Sequence, residues 1–112
     1  MLSTKNRLRK KKEFSFIYKK GKSYHNKFLT LYVYKTKFPF SKVGFSVNNK
    51  VGNSVVRHKI KRRLTEILRI YLKALPVNNY IFVAKTGCEE LDYYALKAQV
   101  NNVIEKLKDE KW

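Results

Sequence analysis

Acidic residues are scarce in this chain. Eight Asp and Glu stand against 26 Lys and Arg in 112 residues, a formal net charge of +18. The eight are Glu13, Glu66, Glu89, Glu90, Asp92, Glu105, Asp109 and Glu110, and most crowd the C-terminal third. No spaced set among them resembles the carboxylate cage of a two-metal nuclease, and His25 and His58 lack an evident nucleophile or acid partner. Cys88 is the only cysteine. An intrachain disulfide and a cysteine-based metal cluster are therefore both excluded, as suits a reducing compartment, and the thiol reads as a small buried hydrophobe or an inert surface group. With only four glycines and two prolines, the chain has no obvious linker, and it lacks both an internal repeat and a Gly-rich phosphate loop. No apolar run approaches the roughly 20 residues that span a bilayer. The basic N-terminal residues are not followed by the apolar stretch of a secretory signal.

What is present points to one small folded domain over residues 1–112. Apolar residues make up 44% of the chain, too many for a disordered tail. A charge of +18 on so few residues is a large self-repulsion, and a dense polyanion is the natural partner to neutralise it. Aromatic residues, at 14%, fit nucleic acid, because bases stack on rings.

The pattern along the chain predicts an αββαβα order, an α+β two-layer arrangement. Residues 7–20 read as a short basic helix with Phe14, Ile17 and Tyr18 on one face, closed by Gly21. Residues 28–34 alternate strictly: Leu29, Leu31 and Val33 form a core stripe, and Phe28, Thr30, Tyr32 and Tyr34 face the other way. After a turn at Phe38-Pro39-Phe40-Ser41, a second strand sets Val43, Phe45 and Val47 against Gly44, Ser46 and Asn48. Gly52-Asn53-Ser54 supplies a break and an N-cap for an amphipathic helix over residues 55–73, with Pro76 beyond it. The apolar run at residues 80–84 fits a strand covered on both faces. Leu96, Val100, Val103 and Leu107 mark a last helix over residues 92–108, with Asp92 as its cap.

The long helix carries the strongest functional signal. At about 100° per residue, Val56, Ile60, Leu64, Ile67 and Tyr71 share one arc, and Arg57, His58, Lys61, Arg62, Thr65 and Arg69 cover a neighbouring one. A merely solvated face normally mixes signs to gain i,i+4 pairs. Here six cationic residues, counting a protonated His58, lie within residues 57–63 with no acid among them. Cations in the first turns oppose the helix dipole. They make sense where phosphates dock. The second-face aromatics of the first strand, under a helix studded with Lys10, Lys11, Lys12, Lys19 and Lys20, read either as ordinary packing or as a cationic groove lined for single-stranded nucleic acid.

Two stretches together resemble a known family. Lys42-Val43-Gly44-Phe45-Ser46-Val47 leads through Lys50-Val51-Gly52-Asn53-Ser54 into Val55-Val56-Arg57-His58-Lys59-Ile60-Lys61-Arg62, which resembles the signature of the bacterial ribonuclease P protein component. That family has a strand, a Lys-x-Gly-Asn motif and a helix bearing an Arg-Asn-Arg (RNR) motif. Asn-Arg-Leu-Arg-Lys at residues 6–10, Phe14, Tyr18, Gly21, Asn26 and Tyr32 fit the family's opening, so the similarity covers nearly the whole chain. The core of the motif departs from the family, reading Arg57-His58-Lys59, and Lys59 keeps charge without the bidentate fork of Arg.

The resemblance implies a ribosomal-protein-like αβ sandwich with a left-handed βαβ crossover, against the usual hand. It implies a central cleft for the single-stranded 5′ leader of precursor tRNA, lined by Phe14, Tyr18, Phe28, Tyr32, Ser46 and Lys50. It places Asn53, Arg57, His58, Lys59, Lys61 and Arg62 against the catalytic RNA, and a third, metal-binding surface near residues 89–92. It implies catalysis by the RNA subunit, which holds most of the Mg²⁺, so none of this chain's own residues is expected to be catalytic. The expected partners are the catalytic RNA and precursor tRNA, in the cytoplasm, with no membrane and no obligate protein partner. A structural RNA-binding protein such as a ribosomal component and a protein-only nuclease are the two alternatives.

Overall fold

The computed structural model describes residues 4–109; Glu110 of the acidic set lies outside the described residues. Its order is αβββαβα: helix α1 at Lys11–Lys20, strands β1 at Lys22–His25, β2 at Leu29–Tyr34 and β3 at Lys42–Val47, helix α2 at Ser54–Tyr71, strand β4 at Asn79–Ala84 and helix α3 at Tyr93–Asp109. The sheet runs β1-β2-β4-β3, with β2 antiparallel to β4 and β3 parallel to it. Parallel neighbours need a crossover, and α2 supplies it, so β3, α2 and β4 form a βαβ unit.

Two local features differ from the pattern read along the chain. Strand β1 was not anticipated. Only Tyr24 of its four residues is buried, so no apolar alternation marks it, and it exists by pairing with β2 from Lys22↔Val33 to His25↔Thr30. The first helix begins at Lys11, four residues later than expected, because Arg7 and Leu8 pair beside β3 and Lys10 is the helix N-cap. Leu8 N–H donates to the Val43 carbonyl at 3.0 Å, Arg7 bridges Val43 in the parallel sense, and the Leu8 side chain is buried. A tertiary contact overrides helical propensity there.

Alternation along the strands sorts the apolar residues into two cores. Leu29, Leu31 and Val33 of β2, Val43 and Val47 of β3, and Tyr80, Phe82 and Ala84 of β4 meet Ile60, Leu64, Ile67 and Leu68 of α2 and Leu96, Val100, Val103, Ile104 and Leu107 of α3. Each such large side chain contributes roughly 1.5–3 kcal/mol by leaving water. On the opposite face, Ile81 packs with Leu8 and Ile17, and Phe14, Tyr32, Tyr34 and Val83 lie half-buried around them. Helix α1 covers this second face only in part.

Polar side chains hold the ends of these elements. Asn53 Oδ1 accepts from Val56 N–H at 3.0 Å and caps α2, and Asp92 Oδ1 accepts from Ala95 N–H at 2.8 Å at the start of α3. Asn26 closes the β1–β2 turn, its Oδ1 accepting from Phe28 and Leu29 N–H, while its amide reaches Asn102 Oδ1 on α3 at 3.0 Å.

Cys88 is buried, and its thiol donates to the Phe28 carbonyl at 3.2 Å. Burial pushes its pKa up to about 11. Because the native state then keeps this proton longer than the unfolded chain, the thiol's contribution to stability is full below about pH 9 and is lost as pH rises toward 11. We expect a thiol reagent at mildly alkaline pH to spare the native protein and to modify Cys88 rapidly in urea. Equal rates in the two states would contradict this burial.

Candidate nucleic-acid interface

Helix α1 presents Phe14, Ile17 and Tyr18 to the second face of the sheet, at the i, i+3, i+4 spacing that stacks side chains on one helical face. Ile17 is fully buried and anchors the helix. Phe14 lies directly over Gly44 of β3: a Cβ at that position would sit 2.9 Å from Phe14 Cε2 and collide with the ring's far end. The absent side chain at residue 44 is what lets the ring lie on the strand. Tyr18 packs edge-on against Tyr32 at 4.9 Å and stands 6.2 Å from Phe14. Burial raises the Tyr18 pKa, opposed by a side-chain hydrogen bond to Ser46 and reinforced by Tyr32, so the phenol stays protonated across the neutral range.

Phe14, Tyr18, Tyr32 and Ser46 are thus brought together in one cleft between α1, β2 and β3. Lys50 is exposed in the 3₁₀ turn Asn49–Val51 that follows β3. Phe28 does not join the group, contrary to expectation. It precedes β2, in the bend held by Asn26, where strand alternation has not begun; its ring packs against the larger core, beside Gly87. The structure adds Phe16, half-exposed and edge-on to Tyr34 at 5.1 Å. Phe16 lies off the i, i+3, i+4 face of α1, so helical spacing alone does not mark it.

The basic residues of α2 divide into two sets. His58, Lys59, Lys61, Arg62 and Arg63 line an open groove of about 1340 Å³, joined by Arg7 and Arg9 from the extended N-terminal segment and lined in part by Phe45. Pairing of Arg7 and Leu8 beside β3 thus builds the second wall, which no helical pattern suggested. Asn53 and Arg57 do not line this groove: Asn53 is spent on the cap, and Arg57 Nη1 donates to Asn49 Oδ1 at 2.7 Å. Arg57 Nε is buried with no hydrogen-bond partner among the described residues. Arg63 Nη1 donates to the Leu91 carbonyl at 3.0 Å, tying α2 to the approach to α3. One acid, Glu66, also lines the groove, and it pairs with Arg69.

Among the described residues, no group of three or more His, Cys, Asp or Glu is placed to hold a metal ion. Two of the acids at residues 89–92 serve the backbone: Glu89 Oε1 accepts from Gly87 N–H and Asp92 caps α3.

Comparison with known proteins places the sequence and the fold in one family. A family model described as Ribonuclease P matches residues 2–108. The ribonuclease P protein component of Clostridium botulinum strain 657 is 40% identical over 103 residues, covering 90% of this chain and 93% of that protein. That of Alkaliphilus metalliredigens is 33% identical over 108 residues, covering 96% and 97%. Among solved structures, the RNase P protein of Staphylococcus aureus superposes with a TM-score of 0.88 at 28% identity, covering 92% of this chain and 95% of that one. The protein from Thermotoga maritima gives 0.80 at 26% identity, covering 89% and 96%.

Asn53 separates a structural role from a contact with RNA. Asn53→Ala should lower the stability of the free protein in urea by about 1 kcal/mol, and Asn53→Asp, which keeps the cap acceptor, should restore it. An unchanged urea midpoint in Asn53→Ala would contradict the capping role.

Proposed function

The chain belongs to the ribonuclease P protein family, and from that membership we propose that it holds two RNAs at once, the catalytic RNA along the α2 groove and the precursor tRNA leader in the aromatic cleft. It is the protein component of a ribonucleoprotein endoribonuclease in which the RNA subunit carries out the cleavage. The observation that carries the proposal is the gathering of Phe14, Tyr18, Tyr32 and Ser46 on the sheet face away from the main core. Rings left half-exposed beside a lysine-rich helix offer stacking surfaces and counter-charge to a single strand.

The work of the protein is positioning. In the cleft, rings receive unpaired bases of the leader and Lys50 lies where the strand leaves β3. In the groove, His58, Lys59, Lys61 and Arg62 meet phosphates of the catalytic RNA, with Arg57 at its margin. Lys59 stands where the family's second Arg does, so it neutralises a phosphate as a point charge and does not grip it with a fork. The Mg²⁺ ions that serve the cleavage are held mainly by the RNA subunit, and this chain's part is to raise substrate affinity. A cytoplasmic site follows from the RNA partners. No helix of the described residues is long and apolar enough to cross a membrane.

Phe14→Ala and Tyr32→Ala should each weaken precursor tRNA binding to the holoenzyme while leaving mature tRNA binding nearly unchanged, since stacking contributes about 1–3 kcal/mol per base. Equal losses for the two tRNAs would count against the cleft. For Arg62→Ala and Lys59→Ala, binding of the RNA subunit should weaken and its salt dependence should become shallower by about one unit per lost contact. An unchanged slope would mean the α2 face is only solvated.

A further inference from the structure

The loop between β2 and β3 carries a feature that the cleft and the groove leave unused. Phe38 and Phe40 stack on each other at 5.2 Å with their planes 17° apart, and Phe38 remains 49% exposed. Lys42 Nζ lies over the Phe38 ring at 4.8 Å, and Lys5 Nζ over Phe40 at 5.5 Å. The base of the loop is fixed: Ser41 is buried, its hydroxyl accepts from Asn78 N–H, and its carbonyl accepts from the Asn6 amide at 2.6 Å. A loop that needed these rings only for packing would bury them. This one holds Phe38 out and leaves Phe40 half-buried beneath it, on an anchored frame with ammonium groups against both rings.

We infer that the Phe38–Phe40 stack with Lys5 and Lys42 is a second platform for single-stranded RNA, continuing the path of the strand that occupies the cleft. Continuity is visible in the side chains. Lys42 opens β3, the strand bearing Gly44 and Ser46, and its ammonium also lies 3.8 Å from Glu13 on α1, next to Phe14. Tyr34 and Lys42 are both register partners of Asn79, so the Phe16–Tyr34 pair occupies the same end of the cleft. A lysine over an exposed ring is held more weakly than a stacked base. An arriving base therefore takes the ring face and leaves the ammonium beside it for the phosphate. The choice of RNA over another anionic partner follows from this pairing of flat rings with point cations and from the adjoining aromatic cleft; identifying the strand as the leader rests on the function proposed above.

Labelled oligoadenylates of increasing length, titrated into the full chain, test the platform without any ribonuclease P substrate. Phe38→Ala should leave the shortest strands unaffected and weaken the longer ones by about tenfold, whereas Phe14→Ala should weaken all lengths and Phe38→Tyr should behave as wild type. Identical affinities for wild type and Phe38→Ala at every length would overturn the proposal. So would a uniform loss at every length accompanied by a lower urea midpoint, which would mark Phe38 as structural. Anionic phosphatidylserine vesicles whose binding Phe38→Ala abolishes, with oligoadenylate binding intact, would assign the rings to a lipid surface and overturn it as well. A parallel series of precursor tRNAs with lengthening leaders, bound to the holoenzyme, should repeat the length dependence. If only the oligoadenylate series shows it, the platform stands and the assignment of the leader to the cleft fails.

Discussion

Ile81 and Phe82 are adjacent on β4 and both fully buried, yet they belong to different cores, because successive side chains of a strand leave opposite faces of the sheet. That alternation governs the molecule. On the Phe82 side, two long helices cover the sheet and close the larger core. On the Ile81 side, a single ten-residue helix covers it in part, so Phe14, Tyr18 and Tyr32 are packed enough to be held in place and open enough to be reached. The cleft is what remains when one face of a four-stranded sheet is given too little helix to bury it.

Electrostatics explains why the remaining surface is so uniformly basic. A net charge of +18 opposes compactness in the free chain, and the scarce carboxylates offset little of it. Several of them are committed locally, with Glu89 and Asp92 on backbone N–H groups and Glu66 on Arg69. Basic side chains outnumber acids along the groove, where Glu66 is the one acid among the lining residues. Binding a polyanion such as RNA relieves that repulsion. An assembly in which RNA performs the cleavage and protein supplies charge and stacking surface needs no carboxylate site on the protein.

Much of this was legible in the order of residues. The strict alternation of β2, the core stripe of α2 and the four apolar positions of α3 have strong periods, and each is where the pattern placed it. That Phe14, Tyr18, Tyr32 and Ser46 lie together on the second face followed from the same periodicities together with the family resemblance. What escaped depends on distant contacts. Strand β1 has one buried side chain and exists through its neighbour. Arg7 and Leu8 carry no local signal that they will pair beside β3. Phe28 shares the parity of Tyr32 in the chain but falls before the strand begins, so counting by twos assigned it to the wrong side. The exposed Phe38 and the half-buried Phe40 looked like turn residues, and only their stacking and their lysines distinguish them.

The claim on which the rest depends is that this protein supplies binding and its RNA partner supplies chemistry. The most direct measurement is cleavage of precursor tRNA by the purified chain, by the cognate RNA and by the two together, at low Mg²⁺. The account predicts no cleavage by the protein alone and a marked increase over the RNA alone when the protein is added. Cleavage by the protein without RNA, or no increase on adding it, would contradict the account.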